Sequence, residues 1–310
     1  MKKGLVLKST GSWYAVKEVE SGNIVLCNIR GKMRIDGIKN TNPVAVGDIV
    51  YFEDADDLDK GIIHTIEPRK NYIIRKSTNL SKQTHILAAN IDQAILLVTV
   101  AFPETYPMFI DRFLITAEAY RIPAKLIFNK IDLYDEGQTA YMNYLVDIYE
   151  KVGYECFKIS VEKKTNIESI QELLKNKSTM IAGNSGVGKS SLINCVDSGL
   201  DLKTSKISDY HKSGKHSTTF AEMFELSFGG YIIDTPGIRG FGLFDIQKEE
   251  LFHYYPEIFK VSGNCKYYNC THMHEPGCEV IKAVENGKIS ELRYLNYLNI
   301  LTGDESKHRL

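Results

Sequence analysis

Asn129-Lys130-Ile131-Asp132 precedes Gly183-Asn184-Ser185-Gly186-Val187-Gly188-Lys189-Ser190 in this chain, and Asp234-Thr235-Pro236-Gly237 follows it. The long stretch is a phosphate loop, the first has the form of a motif that reads a nucleotide base, and the last has the form of one that meets a terminal phosphate. In the usual order of such a site the phosphate loop comes first and the base-reading motif last. Here the base-reading end has moved to the front, so the site must be assembled by a circularly permuted chain. One consequence is mechanical: the segment after Gly237 leads into a cysteine-rich module and not into more nucleotide-binding core.

The surroundings of the phosphate loop have the required form. Residues 179–182 read as a short buried strand, and residues 190–196 carry Leu192, Ile193 and Val196 at helical spacing. Glycines let the backbone curl until successive N–H groups point at the α- and β-phosphates, and the helix N-terminus adds favourable potential for an anion. Gly183, Asn184, Ser185, Gly186, Val187, Gly188, Lys189, Ser190 and Ser191 are the expected phosphate contacts. Lys189 is expected to reach the β and γ oxygens, and the Ser190 hydroxyl to hold Mg²⁺. A glycine-rich loop without function is the alternative, and the strand and helix around it argue against that.

Asn129-Lys130-Ile131-Asp132 follows the apolar run Lys125-Leu126-Ile127-Phe128. That places it at the carboxyl end of a strand, where ligands sit in open α/β sheets. Guanine presents N1–H and the N2 amine side by side, and one carboxylate accepts from both; adenine has no such donor pair. Asp132 is therefore the expected specificity residue, at roughly 1–3 kcal/mol for one bidentate base contact. Asn129 is expected to brace the loop and Lys130 to lay its stem over the base. Alone, this four-residue match also fits a surface turn; together with the phosphate loop it defines a GTP site. Ser160, after a strand over 154–159, is expected to close the base pocket from behind.

Asp234 ends a strand over 230–233 and is expected to meet Mg²⁺ through water, with the Gly237 N–H directed at the γ-phosphate. Gly214-Lys215-His216-Ser217-Thr218-Thr219 lies between, polar and flexible, and reads as the first switch, with Thr218 or Thr219 as a metal contact. Ile238 stands after Gly237, where small GTPases carry a water-orienting glutamine. His216 is the nearest polar substitute, and it reads either as the group that positions water or as a solvated side chain without a chemical role. Nothing in the sequence aims Arg239 at the nucleotide.

This arrangement resembles the circularly permuted, small-ribosomal-subunit-dependent GTPases called RsgA, also known as YjeQ or YloQ. The resemblance covers essentially the whole chain. It rests on the motif order, on Gly214 to Thr219 beside the family's Gly-Arg-His-Thr-Thr-Thr, on Asp234-Thr235-Pro236-Gly237-Ile238-Arg239 with Phe241-Gly242-Leu243 behind it, and on the cysteine module. Lys215 and Ser217 replace arginine and threonine, and Val161 stands where an alanine is common. The resemblance implies a slow GTP hydrolase stimulated by the 30S ribosomal subunit, engaged near 16S rRNA in late maturation. Catalysis would involve His216, Lys189 and Thr219, with Mg²⁺ at Ser190, Thr219 and Asp234. The residues alone reach only a GTP switch coupled to a bound macromolecule. Two rivals stay open: a large-subunit assembly GTPase, which fits the flanking modules poorly, and a GTP-dependent RNA-binding module that does not hydrolyse.

The cysteine module is Cys265-x₄-Cys270-x-His272-x₅-Cys278. Three thiolates and one imidazole complete a tetrahedral Zn²⁺ site with no open position, so a metal here is structural. Disulfide pairing is the rival reading, disfavoured because the chain reads as cytoplasmic. His274 is an alternative ligand to His272, and the family pattern supports His272. Cys27, Cys156 and Cys195 are scattered among apolar residues and read as buried thiols.

The first seventy residues have a different texture. Stretches 5–7, 13–16, 24–29, 49–52 and 61–66 alternate as short strands between Gly, Asn and Asp turns, which fits a small OB-type barrel. Arg30, Lys32 and Arg34 follow the third run and suit an RNA phosphate backbone or a solvated hairpin tip. Residues 71–80 read as a linker. Toward the C-terminus, 251–259, 279–285 and a run from Ser290 through Leu301 read as helices, with a frayed tail over 304–310. The division expected is 1–70 barrel, 71–243 α/β P-loop GTPase domain, 244–310 mainly α-helical zinc domain.

Composition narrows the classes. The 310 residues are 43% hydrophobic and 25% charged, ordinary for a soluble multidomain chain, and no apolar stretch reaches the ~20 residues that span a membrane. A formal net charge of -1 excludes a generally basic coat, so RNA binding must be local. A monomer is expected.

Overall fold

The computed structural model describes residues 1–29, 43–55, 60–76, 84–200, 221–234 and 246–303. His216, Thr218, Thr219, Gly237, Ile238, Arg239, the basic residues Arg30, Lys32 and Arg34, and the tail 304–310 lie outside the described residues. The chain packs as two compact units. One comprises Met1–Ile95, Asn166–Ala182 and Gly188–Ile238, the other Leu96–Thr165, Gly183–Val187 and Arg239–Leu310.

In the first unit the short β-type runs form the five strands that they predict, most of them a little longer: β1 (Lys2–Ser9), β2 (Tyr14–Glu18), β3 (Ile24–Ile29), β4 (Ile49–Asp54) and β5 (Lys60–Ile66). They run in the order β1, β2, β3, β5, β4, and β4 returns to β1 with Lys2 opposite Phe52 and Leu5 opposite Ile49. Closure pairs each of the five on both sides, which removes the exposed edge that an open sheet would carry. Val6, Tyr14, Val16, Cys27, Val50, Phe52 and Ile63 fill the barrel. Near its end β1 also pairs with β12 (Glu222–Glu225), Lys8 opposite Glu222, and ion pairs Lys8–Glu222 at 3.0 Å and Lys17–Glu225 at 2.5 Å flank that junction. β12 is antiparallel to β13 (Tyr231–Asp234), which lies parallel to β11 (Ser178–Ala182). The strand that ends at Asp234 and the barrel therefore belong to one continuous sheet. Helices α3 (Ile167–Leu174) and α4 (Lys189–Val196) complete this unit.

The linker expected over 71–80 is in part a strand. β6 (Tyr72–Lys76) pairs antiparallel with β7 (Thr84–Ala89), Tyr72 opposite Ala89. Its apolar run is only three residues, Tyr72 to Ile74, so the sequence has little periodicity to show. Buried Asp48 accepts from Arg69 Nε and Nη2 at 2.7 and 2.6 Å and from the Ala45 N–H at 2.8 Å, which fixes the chain leaving the barrel.

β8 (Gln93–Val98), buried throughout, runs from the first unit into the second. There β9 (Ala124–Phe128) and β10 (Glu155–Lys158) lie parallel, in the order β10, β9, β8. Parallel neighbours need long crossover connections, usually helical, and these are supplied by α1 (Pro107–Ala119) and α2 (Glu136–Val152). Pro107 opens α1 where a missing N–H is harmless. Asp135 and Gln138 form a capping box at α2, which stops at Gly153 with φ +116°.

The helical spacing over 251–259 yields two elements instead of one. A 3₁₀ helix over Lys248–Tyr254 gives way to α5 (Pro256–Ser262) because Pro256 lacks the N–H to continue the ladder and holds Tyr255 extended. α6 (Glu279–Glu285) and α7 (Glu291–Thr302) follow as expected. Arg293, in the first turn of α7, is fully buried. Its Nη1 donates to Asp111 Oδ1 on α1 at 2.6 Å, Nε and Nη2 donate to Glu257 on α5 at 2.5 and 3.1 Å, and its guanidinium lies 4.8 Å from the Tyr255 ring. Asn296 Nδ2 donates to the other Asp111 oxygen at 2.6 Å. No helix among the described residues is long and apolar enough to cross a membrane.

Removing the guanidinium leaves two carboxylates without their buried counter-charge. Arg293→Met is expected to lower stability in urea unfolding by about 3–5 kcal/mol; a loss below about 1 kcal/mol would mean that the carboxylates reach solvent.

Candidate nucleotide site and metal centre

β9 delivers Asn129 at its carboxyl end, as the sequence predicts, and the side chain is 2% exposed. Asn129 Nδ2 donates to the Val187 carbonyl at 2.9 Å, and its Oδ1 accepts from the Val161 N–H at 3.3 Å. One amide thus ties the Asn129 to Asp132 stretch to the glycine-rich loop and to the segment after Ser160. Lys130, at φ +65°, donates from Nζ to the Gly186 carbonyl at 2.7 Å and to the Phe102 carbonyl. Burial lowers the Lys130 pKa, and the Asp132 carboxylate pulls it back up. Asp132 sits exposed in the 3₁₀ turn Ile131–Leu133. Ser160 is fully buried, and its hydroxyl oxygen accepts from the Lys163 N–H at 2.9 Å, which folds the turn behind Asn129. Tyr134 has no part in the sequence reading, yet its hydroxyl donates to the Asn129 carbonyl at 2.5 Å and accepts from the Val100 N–H at 3.1 Å. Its position five residues after Asn129 is the one signal the sequence holds for that role.

The phosphate loop follows β11. At Gly183, φ is +146° and an added Cβ would stand 2.7 Å from the Leu97 carbonyl oxygen, so no side chain fits. Asn184, Ser185, Gly186 and Val187 complete the part of the loop that belongs with the second unit. Gly188, at φ +100°, caps the N-terminus of α4 in a conformation that L side chains rarely adopt, and Lys189, Ser190 and Ser191 form the first turn. Burial pulls the Lys189 ammonium below its usual pKa, while the Asp234 carboxylate opposes that shift. A cation desolvated at a helix N-terminus suits a polyphosphate.

Cys265, Cys270, His272 and Cys278 come together at the other chemical centre, their four ligand atoms all within 4.8 Å of one another. Cys265 Sγ and Cys278 Sγ are 3.9 Å apart, and His272 Nδ1 lies 3.6 and 3.5 Å from them. A tetrahedral ion at ordinary zinc bond lengths sets S···S at ~3.8 Å and S···N at ~3.6 Å. The cluster can therefore hold a metal ion, and its three cysteines are free thiols not joined in a disulfide. His274 is exposed, outside the cluster. Burial pushes the Cys270 thiol up to about 12 and raises Cys278 too, a disadvantage that a bound cation reverses. Glu275 locks the knuckle. Burial works against its charge, but bonds from the Thr271 hydroxyl and from the Thr271, Met273 and His274 N–H groups hold its pKa at about 2. Of the three remaining cysteines Cys27 is buried, whereas Cys156 and Cys195 are only half-buried.

A strand, a glycine loop and a helix bearing Lys189 and Ser190, with the loop bonded through Asn129 to an Asn-Lys-Ile-Asp turn that precedes it in the chain, define a circularly permuted GTPase. A family model for the RsgA GTPase matches residues 66–244, and one for the RsgA N-terminal domain matches residues 3–63. Small ribosomal subunit biogenesis GTPase RsgA 2 of Bacteroides thetaiotaomicron is 56% identical over 308 residues, 99% of each chain. The RsgA of Christiangramia forsetii is 51% identical over 310 residues, covering 99% of this chain and 98% of that one. Among solved structures, YjeQ from Thermotoga maritima matches with TM-score 0.80 and 37% identity over 99% of both chains. YloQ, described as a circularly permuted GTPase, matches with TM-score 0.76 and 30% identity over 100% of this chain and 97% of that one. The chain belongs to the RsgA GTPase family and is a GTP hydrolase.

The metal centre is directly testable. Elemental analysis of the purified protein is expected to find about one divalent ion per chain, absent from Cys270→Ser, whose urea midpoint falls with it; a metal-free protein with unchanged stability would remove the site.

Proposed function

We propose that this protein hydrolyses GTP as a switch that acts on the small ribosomal subunit during its maturation, and that the subunit accelerates the reaction. The observation that carries the nucleotide reading is the Asn129 amide, which satisfies the Val187 carbonyl and the Val161 N–H at once and so holds the base-reading turn at the phosphate loop. On this reading Asp132 accepts from guanine N1–H and N2, Lys130 covers the base with its stem, and Ser160 stands behind it. Gly183 to Ser191 wrap the phosphates with their N–H groups, and Lys189 neutralises charge on the β and γ oxygens. Ser190, Asp234 and Thr219, or Thr218, would hold Mg²⁺, which when bound supplies further neutralisation of those oxygens. Water attacks the γ-phosphorus as the bond to the β–γ bridging oxygen breaks; the Gly237 N–H receives a γ oxygen and His216 positions the water. With an isoleucine where other GTPases place glutamine, unassisted turnover is expected on the order of 10⁻⁴ to 10⁻² s⁻¹.

The partner rests on the names that the relatives carry. The 30S subunit, contacted through 16S rRNA, is the partner we propose, with the protein acting as a cytoplasmic monomer. The ion in the Cys₃His cluster is Zn²⁺, structural because four protein ligands leave no position for substrate. The division into 1–70, 71–243 and 244–310 is kept as the functional one, to be checked by limited proteolysis.

Phosphate release from GTP and ATP, with and without purified small and large subunits, tests the whole reading. Stimulation is expected from the small subunit with GTP alone, falling as salt rises; stimulation by the large subunit instead would overturn the partner. His216→Ala and Thr219→Ala are expected to lose at least about tenfold of the stimulated rate, the low end of what a positioned water or metal contact supplies, while keeping GTP affinity within a few fold. Unchanged guanine over xanthine preference in Asp132→Asn would remove the base-reading assignment.

A further inference from the structure

We propose that Phe102 contacts the guanosine of GTP, its ring packing on the purine and ribose at the rim of the site; this rests on the base-reading assignment made above for Asn129, Lys130 and Asp132. The loop 99–106, between β8 and α1, is built rather than loose. The Thr105 N–H donates to the Thr99 carbonyl at 2.7 Å, the Thr99 N–H donates to Thr105 Oγ1 at 3.2 Å, and Thr99 Oγ1 donates to the Pro103 carbonyl. Two sets of hydrogen bonds pin the loop to the nucleotide machinery, and Pro103 lies near Gly186. Val100 is bonded to Tyr134, whose hydroxyl also holds the Asn129 carbonyl. Lys130 Nζ bridges the Phe102 and Gly186 carbonyls. Pro103 Cδ lies 3.4 Å from where a Gly186 side chain would begin.

On this scaffold Phe102 is anomalous twice. Its backbone sits at φ +60°, a region in which a bulky side chain is an outlier, and the residue is 61% exposed. Burial in the core repays neither cost, and residues held in such conformations cluster at ligand clamps. The residue's carbonyl shares a lysine ammonium with the phosphate loop, so Phe102 stands beside the part of the surface where a purine nucleoside is expected. Every base has an apolar π face, and an aromatic side chain beside it is covered only when the ligand is present. The ring therefore adds affinity for a purine nucleoside without reading its edge, while Asp132 supplies the reading.

The test uses the full-length protein. Phe102→Ala is expected to raise Kd for GDP and GTP about tenfold by calorimetry, the scale of one aromatic–base stack, with the loss appearing in KM and not in kcat. Trp13 is the single tryptophan of the chain and lies in the barrel, so Trp13→Phe combined with Phe102→Trp places the only tryptophan at the proposed contact. GDP should then change its emission and inorganic pyrophosphate should not. Asp132→Asn in the same background separates the two assignments. If xanthosine diphosphate replaces GDP as the better ligand while Phe102→Ala leaves affinity within about twofold, well short of a stacking contribution, the base-reading holds and the Phe102 contact is overturned. If preference does not switch but GDP still alters the emission of the introduced tryptophan, the base-reading fails and the ring contact stands. Loss of ribosomal-subunit stimulation with unchanged nucleotide affinity in Phe102→Ala would assign the ring to the partner and overturn the proposal.

Discussion

Everything at the nucleotide end depends on one buried amide having opposite needs met on both sides. Asn129 must donate to Val187, fifty-eight residues further along, and accept from Val161. Either bond left unmade inside the protein costs about 1–3 kcal/mol, so the three segments either meet together or not at all. This explains why the order of motifs along the chain is free to permute. The entropy of closing a loop grows only with the logarithm of its length, whereas the hydrogen-bond requirement of a buried amide does not depend on connectivity. A permuted chain keeps the second and changes only the first.

A second constraint organises the C-terminal helices. The Arg293, Asp111 and Glu257 cluster takes charges out of water, and such clusters specify an arrangement more surely than they stabilise it. Here the arrangement is the seating of α7 and α5 on α1, and α1 is the helix that follows the loop pinned to Lys130 and Gly186. The same helix α7 reaches the metal knuckle, since Tyr294 and Tyr297 donate to the His272 and Thr271 carbonyls at 2.7 and 2.8 Å. One helix therefore grips the metal-binding turn with its tyrosines and the GTPase helix with Arg293 and Asn296. A knuckle with little core of its own takes its position from α7.

The barrel is joined to the rest of its unit through backbone and not through side chains alone. β1 pairs with β12, the strand that follows the segment 201–220, and β12 in turn pairs with β13, which ends at Asp234. A shared sheet is a stiffer connection than a surface contact, because sliding it by one residue would turn every side chain to the wrong face.

By itself the sequence determined the chemistry and most of the elements. Glycines at 183, 186 and 188 with Lys189 and Ser190 admit few other meanings, the five strands of the barrel follow from short β-type runs bounded by Gly, Asn and Asp turns, and the Cys-Cys-His-Cys spacing marks its candidate metal ligands with one ambiguity. These are local patterns, fixed by backbone sterics and ligand geometry within a short window. What only the tertiary structure decided are contacts between segments distant in the chain. His272 over His274 was decided by which imidazole faces the thiols; β6 required β7 to become a strand; and Arg293, which no sequence pattern singles out, is buried because Asp111 and Glu257 arrive from elsewhere. The bridging Tyr134 hydroxyl and the exposed Phe102 ring belong with these, since a side chain's partner, unlike its propensity, is not written beside it.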